Sequence, residues 1–353
     1  MTPTDDRPER PTAGHKGGEK PATLRDVARM ADVSTATVSR CLSHPEKVRP
    51  VLRERVEVAI AALAYTPDGA GRALATRRSH TIGAIVPTLH MAIFAYGVQS
   101  LQERLATADY TPLLALSNFD LDKEYRNAQS LVARGVDGLM LVGSEHDPRL
   151  YDLLESKGIP FVNTWSTGSA GERPCIGIDN RAALKRNTRF VLDMGHRDVA
   201  LIIGGQHHIN DRSRDRAAGY RDAMVEQGLE PGPIVEKAYG IAGGREALRL
   251  LMAEVRPPSA IVCGSDLFAI GALLECRRAG IDVPGDLSIT GTDDLEIAAE
   301  FVPALTTVHV PARAMGERAA EYLLARLDGR PVVDTLELEC QLIVRDTVAS
   351  MNA

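Results

Sequence analysis

The chain has 353 residues, of which 44% are hydrophobic, and this is enough for two or three domains with cores of their own. It contains no run of 18 apolar residues and begins without the apolar core of a signal peptide, so we predict a cytoplasmic protein with no membrane partner. The formal net charge is −6, yet residues 21–79 hold ten Lys and Arg against six Asp and Glu. A basic N-terminal part is suited to contact with phosphate, whereas the acidic remainder is repelled by it.

The N-terminal region begins with a tail and continues with two short helices. Residues 1–20 are rich in proline, glycine and charge, which predicts a disordered tail. Residues 23–40 show apolar positions at helical spacing, interrupted once by a tight joint. Thr23 suits the N-cap of the first helix, and Asp26 places a negative charge in its first turn.

The second of these helices has a small and polar outer side. Ser34 suits its N-cap, and Val38 is its inward-facing residue. Two helices this short need a third, which we place at residues 50–65 with Pro50 in its first turn. The predicted buried stripe of the third helix comprises Val51, Leu52, Val56, Ile60 and Leu63. Three helices with an arginine near the tip of a polar second helix indicate a helix-turn-helix DNA reader.

These residues match a known pattern closely. The segment resembles the DNA-binding headpiece of the LacI/GalR family of bacterial transcription regulators. The resemblance rests on Thr23-Leu24-x-Asp26-Val27-Ala28, Val33-Ser34-x-x-Thr37-Val38-Ser39-Arg40 and Tyr65-x-Pro67. It implies a headpiece over residues 21–66 whose DNA contacts come from Thr23, Ser34, Thr35, Ala36, Thr37, Ser39, Arg40 and Arg49. The alternative is an ordinary three-helix bundle with a polar outer face.

Residues 67–79 follow as a predicted hinge helix or linker. In the family this stretch folds when two subunits bind DNA, and Leu74 matches the leucine that enters the minor groove at the centre of the operator. Gly69 and Gly71 are weak helix formers, each costing about 1 kcal/mol relative to alanine. We therefore expect this hinge to depend on DNA and on the partner hinge for folding. The alternative is a flexible linker with an incidental leucine.

From residue 80 onward, short apolar strands alternate with amphipathic helices, and the alternation restarts after residue 180. This pattern predicts parallel sheets covered by helices on both faces. It resembles the α/β body of LacI/GalR regulators, which has the periplasmic-binding-protein type I fold with two halves and a cleft. We expect an effector-binding and dimerisation domain over residues 80–347. Its halves are placed at about 80–179 with 310–331 and about 180–308 with 333–347, with chain crossings near 179–181, 308–311 and 330–334.

Polar residues that follow the predicted strands form a candidate effector pocket, because ligands of open α/β sheets bind beyond the carboxyl ends of the strands. By resemblance, Arg216 matches the arginine that grips the effector, and Asp293 matches the aspartate that accepts bonds from sugar hydroxyls. Phe94 matches an aromatic residue of the first loop, whereas Ser265 stands where most members have asparagine. The other predicted effector contacts are Asn163, Trp165 and Arg212. For each residue the alternative is a structural role, such as an ion pair, a helix cap or core packing.

The sequence contains no constellation that favours catalysis. It lacks a phosphate-cradling glycine loop and a nucleophile elbow, and its five cysteines are scattered without a close pair. We therefore predict that the protein is not an enzyme and that it has no cofactor and no metal. The predicted function is that of a homodimeric, ligand-controlled transcription regulator, a repressor that binds a pseudo-palindromic operator in double-stranded DNA.

Two features suggest the chemistry of the effector. The loop over residues 43–48 resembles the corresponding loop of gluconate-type repressors of the family, and three arginines within residues 212–216 suit a carboxylate. We therefore predict gluconate or another sugar acid, while a neutral sugar or a nucleobase stays open. A periplasmic transport protein would share the fold of the body, but the headpiece and the lack of a signal peptide argue against that class.

Overall fold

The structure is a computed structural model, and the chain divides between Ser79 and His80 into two compact units that are described separately. The described residues are 22–43, 45–66, 78–167, 173–205 and 210–351. The predicted N-terminal tail, Leu74 and most of the predicted hinge lie outside these ranges.

In the first unit, the described residues form a three-helix headpiece. Its helices are α1 (Leu24–Met30), α2 (Thr35–Ser43) and α3 (Pro50–Ala62), with a short 3-10 turn at Pro45–Lys47. Its buried core comprises Val27, Ala28, Ala31, Val38, Cys41, Val56 and Ala59. Val51 does not join the buried stripe of α3 as predicted, because its side chain is 69% exposed. At about 100° per residue it lies about 140° around the helix from Val56, and so it faces away from the other two helices.

The first half of the body is built on a parallel sheet. Its described strands are β1 (Thr81–Val86), β2 (Thr111–Leu116), β3 (Gly138–Val142), β4 (Phe161–Thr164), β5 (Cys175–Gly177) and β11 (Thr335–Glu337). The order across the sheet is β11-β5-β4-β3-β1-β2. The helices of this half are α4 (Ala92–Ala106), α5 (Leu121–Ala133), α6 (Pro148–Lys157) and α12 (Ala312–Leu327). Helix α12 packs on α4 although more than 200 residues separate them, so the first half is built from two stretches of chain.

The second half repeats this plan. Its described strands are β6 (Val199–Gly204), β7 (Ile234–Lys237), β8 (Ala260–Cys263), β9 (Ser288–Asp293), β10 (Thr306–His309) and β12 (Gln341–Ile343). The order is β12-β10-β9-β8-β6-β7, with β12 antiparallel to β10 and the other described pairs parallel. The helices are α7 (Asn180–Asp193), α8 (Asp211–Glu226), α9 (Ile241–Met252), α10 (Asp266–Ala279) and α11 (Glu296–Glu300). Both sheets are rich in fully buried aliphatic residues, as expected for sheets with helices on both faces.

The chain passes between the halves after β5, after β10 and after β11. The structure places the third crossing at residues 338–340, later than the predicted 330–334, because β11 still pairs with β5 in the first sheet. The C-terminal part of the second half therefore starts after residue 337 and not at residue 333. Strand β11 was hard to recognise from sequence because it is a short, half-buried edge strand. All three crossings lie at the sheet edges that carry β5, β11, β10 and β12, so the edges formed by β2 and β7 border the open side of the cleft.

Candidate functional site

One side of α2 presents a row of short side chains and an arginine to solvent. Ser34 caps this helix, since its Oγ accepts a bond from the Thr37 amide at 3.1 Å, and the Ser34 and Thr37 hydroxyl oxygens lie 2.9 Å apart. Val38 points inward and is fully buried. Four exposed residues lie on one side of the helix, because Thr35 and Ser39 are four residues apart, as are Ala36 and Arg40. We call these four residues the reading face.

Two further predicted DNA contacts lie at helix starts. The Thr23 hydroxyl accepts the Asp26 amide at 3.4 Å, and the Asp26 carboxylate accepts the Thr23 amide at 2.9 Å, so the predicted N-cap is a full capping box. Arg49 is exposed and directly precedes α3. Exposed groups at helix starts are typical contacts of the phosphate backbone, which position a reading helix without reading the sequence.

A buried polar network lies at the carboxyl ends of the strands in the second half. The Arg216 guanidinium donates to the Gly264 carbonyl at 2.6 Å, and its Nη1 lies 4.0 Å from Asp293 Oδ1. The Ser265 hydroxyl donates to Asp293 Oδ2 at 2.8 Å. All three side chains are buried, and Ser265 is fully so. The structure thus brings together the three residues for which resemblance predicted effector roles in this half, but Ser265 is directed at Asp293.

Two buried carboxyl groups determine the charge of this network. Burial raises the pKa of Asp293 above its ordinary value, although the Arg216 charge and the Ser265 hydrogen bond oppose the rise. Burial and the charge of Asp293 both raise the pKa of Asp266, whose carboxylate also accepts bonds from the Thr307 hydroxyl and the Leu295 amide. Because two neighbouring buried carboxylates disfavour each other, Arg216 is the cation that makes a charged Asp293 tolerable.

Asn180 connects this network to the first half of the body. Its side-chain oxygen accepts a bond from Arg216 Nε at 2.9 Å, and its side-chain nitrogen donates to the Trp165 carbonyl at 2.9 Å. The sequence analysis did not single out Asn180, although it follows β5 in the same manner as the chosen residues follow their strands. The same rule would have found Phe119 after β2 and Tyr239 after β7, whose rings stack 5.5 Å apart across the cleft.

The first half contributes an aromatic and amide cluster. Trp165 is 2% exposed, has a left-handed backbone with φ of 62°, and packs edge-on against Phe94 at 5.4 Å between ring centroids. A Cβ on Gly97 would lie 2.3 Å from the indole, so only glycine allows the ring this close to α4. Asn163 is 1% exposed and donates to the Tyr151 hydroxyl at 3.2 Å. Among the described residues, neither Asn163 Oδ1 nor Trp165 Nε1 has a hydrogen-bond partner.

The three neighbouring arginines of α8 have separate partners. Helix α8 begins at Asp211, so Arg212 lies in its first turn. Arg212 pairs with Asp211 at 2.9 Å, and both are buried. Arg214 is half-exposed and forms a bidentate pair with Glu145. The arginines therefore do not form one anion-binding cluster, because only Arg212 and Arg216 are buried and each has an acidic neighbour.

A cavity of about 550 Å³ opens beside Asp293 at the second chain crossing. Tyr96 and Arg313 line it from the first half, and the Arg313 guanidinium lies 4.7 Å from the centre of the Tyr96 ring. Asp294 and His309 line it from the second half and lie 3.0 Å apart. A space of this size between two halves is typical of sites for small ligands.

The described residues lack the features of two other kinds of site. Among them, no group of three His, Cys, Asp or Glu side chains is placed to hold a metal ion. No helix within these residues combines the length and the apolar composition needed to cross a membrane.

Two parts of the chain match known families. Residues 23–68 match the bacterial regulatory proteins of the lacI family, and residues 188–348 match the periplasmic binding protein-like domain. The HTH-type transcriptional regulator GntR of Escherichia coli is 32% identical over 315 residues, which cover 89% of this chain and 94% of that protein. The ribose operon repressor of Haemophilus influenzae is 31% identical over 337 residues, which cover 94% of this chain and all of that protein.

A solved structure of the lac repressor dimer bound to operator and the anti-inducer ONPF matches this chain with a TM-score of 0.85 at 25% identity, covering 94% of this chain and all of that one. A helix-turn-helix headpiece joined to a two-sheet body defines the class of DNA-binding regulators and not a class of enzymes. The chain belongs to the lacI family of bacterial regulatory proteins, and it is a DNA-binding transcriptional repressor of that family. The predicted family and fold class are thus confirmed.

Proposed function

We propose that the protein is a cytoplasmic homodimer that represses transcription under the control of a small effector bound in the cleft of the body. Two headpieces would insert their reading faces into successive major grooves of a pseudo-palindromic operator. Ser34 and Thr37 would place the N-terminus of α2, while Thr23 and Arg49 would hold phosphates. Leu74, which lies outside the described residues, is proposed to wedge into the minor groove. The dimeric state of the lac repressor structure supports the homodimer.

The observation that carries the effector proposal is the gap between Arg216 and Asp293. Their facing atoms lie 4.0 Å apart, too far for a direct hydrogen bond. A ligand hydroxyl between them could accept from the guanidinium and donate to the carboxylate at once. Across the cleft, the unpartnered Asn163 Oδ1 and Trp165 Nε1 offer one acceptor and one donor. Leaving such buried groups unsatisfied costs about 1–3 kcal/mol each, so a polyhydroxylated ligand would gain by pairing with them.

Two effector classes fit this site. A sugar acid is our first candidate, because Arg212 and Arg216 are both buried at the carboxyl ends of the strands and either could bind a carboxylate. Trp165 would then contact the apolar face of the sugar, and Phe94 would hold Trp165 in place. A neutral sugar is the second candidate, because Asp211 and Asp293 already balance these two arginines and Ser265 is committed to Asp293.

Thermal unfolding of the full-length protein with matched ligands distinguishes these classes. The panel pairs gluconate with glucose and includes ribose and hypoxanthine. A ligand at 100 times its dissociation constant stabilises the folded state by about 2.7 kcal/mol, which is a clear shift in melting temperature. A shift with gluconate alone supports the sugar acid, and a shift with glucose or ribose alone supports the neutral sugar. A shift only with hypoxanthine, or with none of the panel, contradicts the proposed effector class.

A further inference from the structure

The open side of the cleft is bridged by direct contacts between the two halves. One partner is the loop after β3, residues 143–145, and the other is the first turn of α8, residues 211–214. We call these two segments together the latch. They lie away from the three chain crossings, on the side of the cleft that has no covalent connection between the halves. A link at this place therefore restricts opening much more than a link beside a crossing would.

Asp211 forms the buried centre of the latch. Its Oδ2 accepts both the Ser144 amide at 2.8 Å and the Ser144 hydroxyl at 2.7 Å. Its other oxygen accepts from the guanidinium and the backbone amide of the neighbouring Arg212, both at 2.9 Å, so the bonds that join this 3% exposed carboxylate to the opposite half are the two from Ser144. Burial alone would raise the pKa of Asp211, but Arg212 and the two bonds from Ser144 lower it. The charged form of Asp211 thus favours the bridged arrangement.

Gly143 allows the two halves to come this close. Its φ of 104° lies in the region that favours glycine. A Cβ at this position would lie 2.4 Å from Arg212 Nη1 and 3.1 Å from Asp211 Oδ1, both from the opposite half. The missing side chain therefore serves the contact between halves as well as the turn.

Two outer contacts flank this centre. Glu145 and Arg214 form a two-bond pair at 2.5 and 2.8 Å on the solvent side. Further along the open edge, Phe119 of the first half stacks on Tyr239 of the second with an interplanar angle of 13°. The exposed ion pair contributes little energy because water screens it, so Asp211 and the ring stack are the main stabilising contacts.

The latch is also connected to the ligand-facing side of the first half. The Tyr151 hydroxyl donates to the Ser144 carbonyl at 3.2 Å and accepts from Asn163 at 3.2 Å. His146, directly after the latch loop, lies 2.7 Å from the buried Glu124 carboxylate and 3.1 Å from the Gly143 carbonyl. A group that engages Asn163 can therefore alter the bonds that position Ser144.

We infer that the latch holds the body closed through contacts between its own residues. An effector can then enter only when the Asp211–Ser144 bonds break. It is retained only when these bonds form again. The regulatory meaning of this device rests on the proposed function, but the latch itself does not. Because every bond in it joins protein groups, the closed arrangement has its own stability, and a ligand shifts an existing balance. Asp211 and Ser144 are thus positioning residues for the response and do not need to touch the effector.

Amide hydrogen exchange of the full-length protein without any effector tests the latch. The Ser144 amide is bonded across the cleft, so its exchange rate reports opening of the latch. We expect Asp211→Ala to raise that rate at least tenfold. The matched control is Asp222→Ala on the same helix, whose carboxylate pairs with Arg181 inside the second half and should leave the rate unchanged.

The outcomes separate clearly. Equal Ser144 exchange in the wild type and Asp211→Ala overturns the inference, as does an equal increase in the Asp222→Ala control. Protection of the β3 amides shows whether the variant is folded, and if Asp211→Ala is not, Asp211→Asn takes its place with an expected increase of at least threefold. No ligand is present, so failure of the ligand panel would contradict the proposed effector class without affecting this measurement.

Discussion

The headpiece and the body place their functional side chains in opposite environments. In the headpiece, the reading face stands in solvent and the core beneath it is small. In the body, the candidate effector residues Arg212, Arg216, Ser265 and Asp293 are all buried and bonded to one another or to neighbours. A DNA groove is a large external surface that must be entered, whereas a small ligand must be enclosed. The proposed function therefore uses exposure for one partner and burial for the other.

This difference implies that function and stability separate in the headpiece and combine in the body. An exposed side chain can be removed from α2 without disturbing packing, so its loss should affect DNA binding alone. A buried side chain of the cleft network cannot be removed without leaving a partner unsatisfied, so its loss should affect both properties. The following experiments compare the two units on this point.

The largest effect is expected for Arg216→Ala. The substitution leaves Asp293 buried without its neighbouring cation, and loss of one partner of a buried charged pair typically costs about 2–5 kcal/mol. We expect a lower melting temperature of the body and loss of the ligand-induced shift in thermal unfolding. Arg221→Ala, an exposed change on the same helix, is the control. A variant that melts like the control would contradict a combined role for Arg216.

Arg40→Ala should act on DNA binding only. The loss of a side chain that reaches a guanine or a phosphate is expected to weaken operator binding by about 1–3 kcal/mol. Because Arg40 is exposed, the melting temperature should not change. Titration of labelled operator at fixed salt measures the affinity, with Arg53→Ala on the outer side of α3 as the control. If both arginine variants lose the same affinity, the assignment of Arg40 to the reading face is wrong.

The buried histidine should make the body sensitive to pH. Burial alone would lower the pKa of His146, but the charge and hydrogen bond of Glu124, the Gly143 carbonyl and the charge of Asp211 raise it above its ordinary value of 6.5. The stabilisation is therefore complete below pH 6.5 and is lost as the pH rises through the raised pKa.

Scanning calorimetry of the full chain from pH 6 upward, compared with His146→Gln, measures this contribution. The wild type should lose stability relative to the variant over that range. His196, whose pKa burial lowers, titrates in the opposite sense but is present in both proteins. Parallel pH profiles would show that the His146–Glu124 pair does not stabilise the body.

The smallest effect is expected for the Thr23 cap. Thr23→Ala removes one half of the capping box and should destabilise the headpiece by about 1 kcal/mol. Thr35→Ala, on the reading face, should leave headpiece stability unchanged while it weakens operator binding. Denaturation monitored at headpiece amides measures the first effect. Equal stability of the two variants would remove the contrast between cap and reading face.

The headpiece could be predicted from sequence because its signals are local. The Thr23 cap, the Ser34 cap and the inward Val38 are each determined by neighbours within four residues, and all three are present. Val51 was predicted wrongly because an apolar residue was counted in the stripe without regard to its angle around α3. The alternation of strands and helices in the body was likewise sufficient to predict its two sheets.

The cleft could be predicted only in part, because its contacts join distant segments. Strand ends and the family resemblance together indicated Arg216, Ser265 and Asp293, which do meet. The partners of the arginines depend on which carboxylate lies opposite each one in space, and Glu145 is 69 residues from Arg214. Ser265 illustrates the same limit, since a residue type reveals a hydroxyl but not its direction.

The burial of Trp165 has an optical consequence. It is the single tryptophan of the chain, and it lies against Phe94 with its carbonyl bound to Asn180, one of the residues that connect the two halves. Indole emission depends on the polarity around the ring, so the tryptophan fluorescence of the protein originates where the two halves meet. Rearrangement of the cleft would change the emission wavelength of Trp165 or its accessibility to a quencher. The protein thus has an intrinsic fluorophore at the place where its two halves meet.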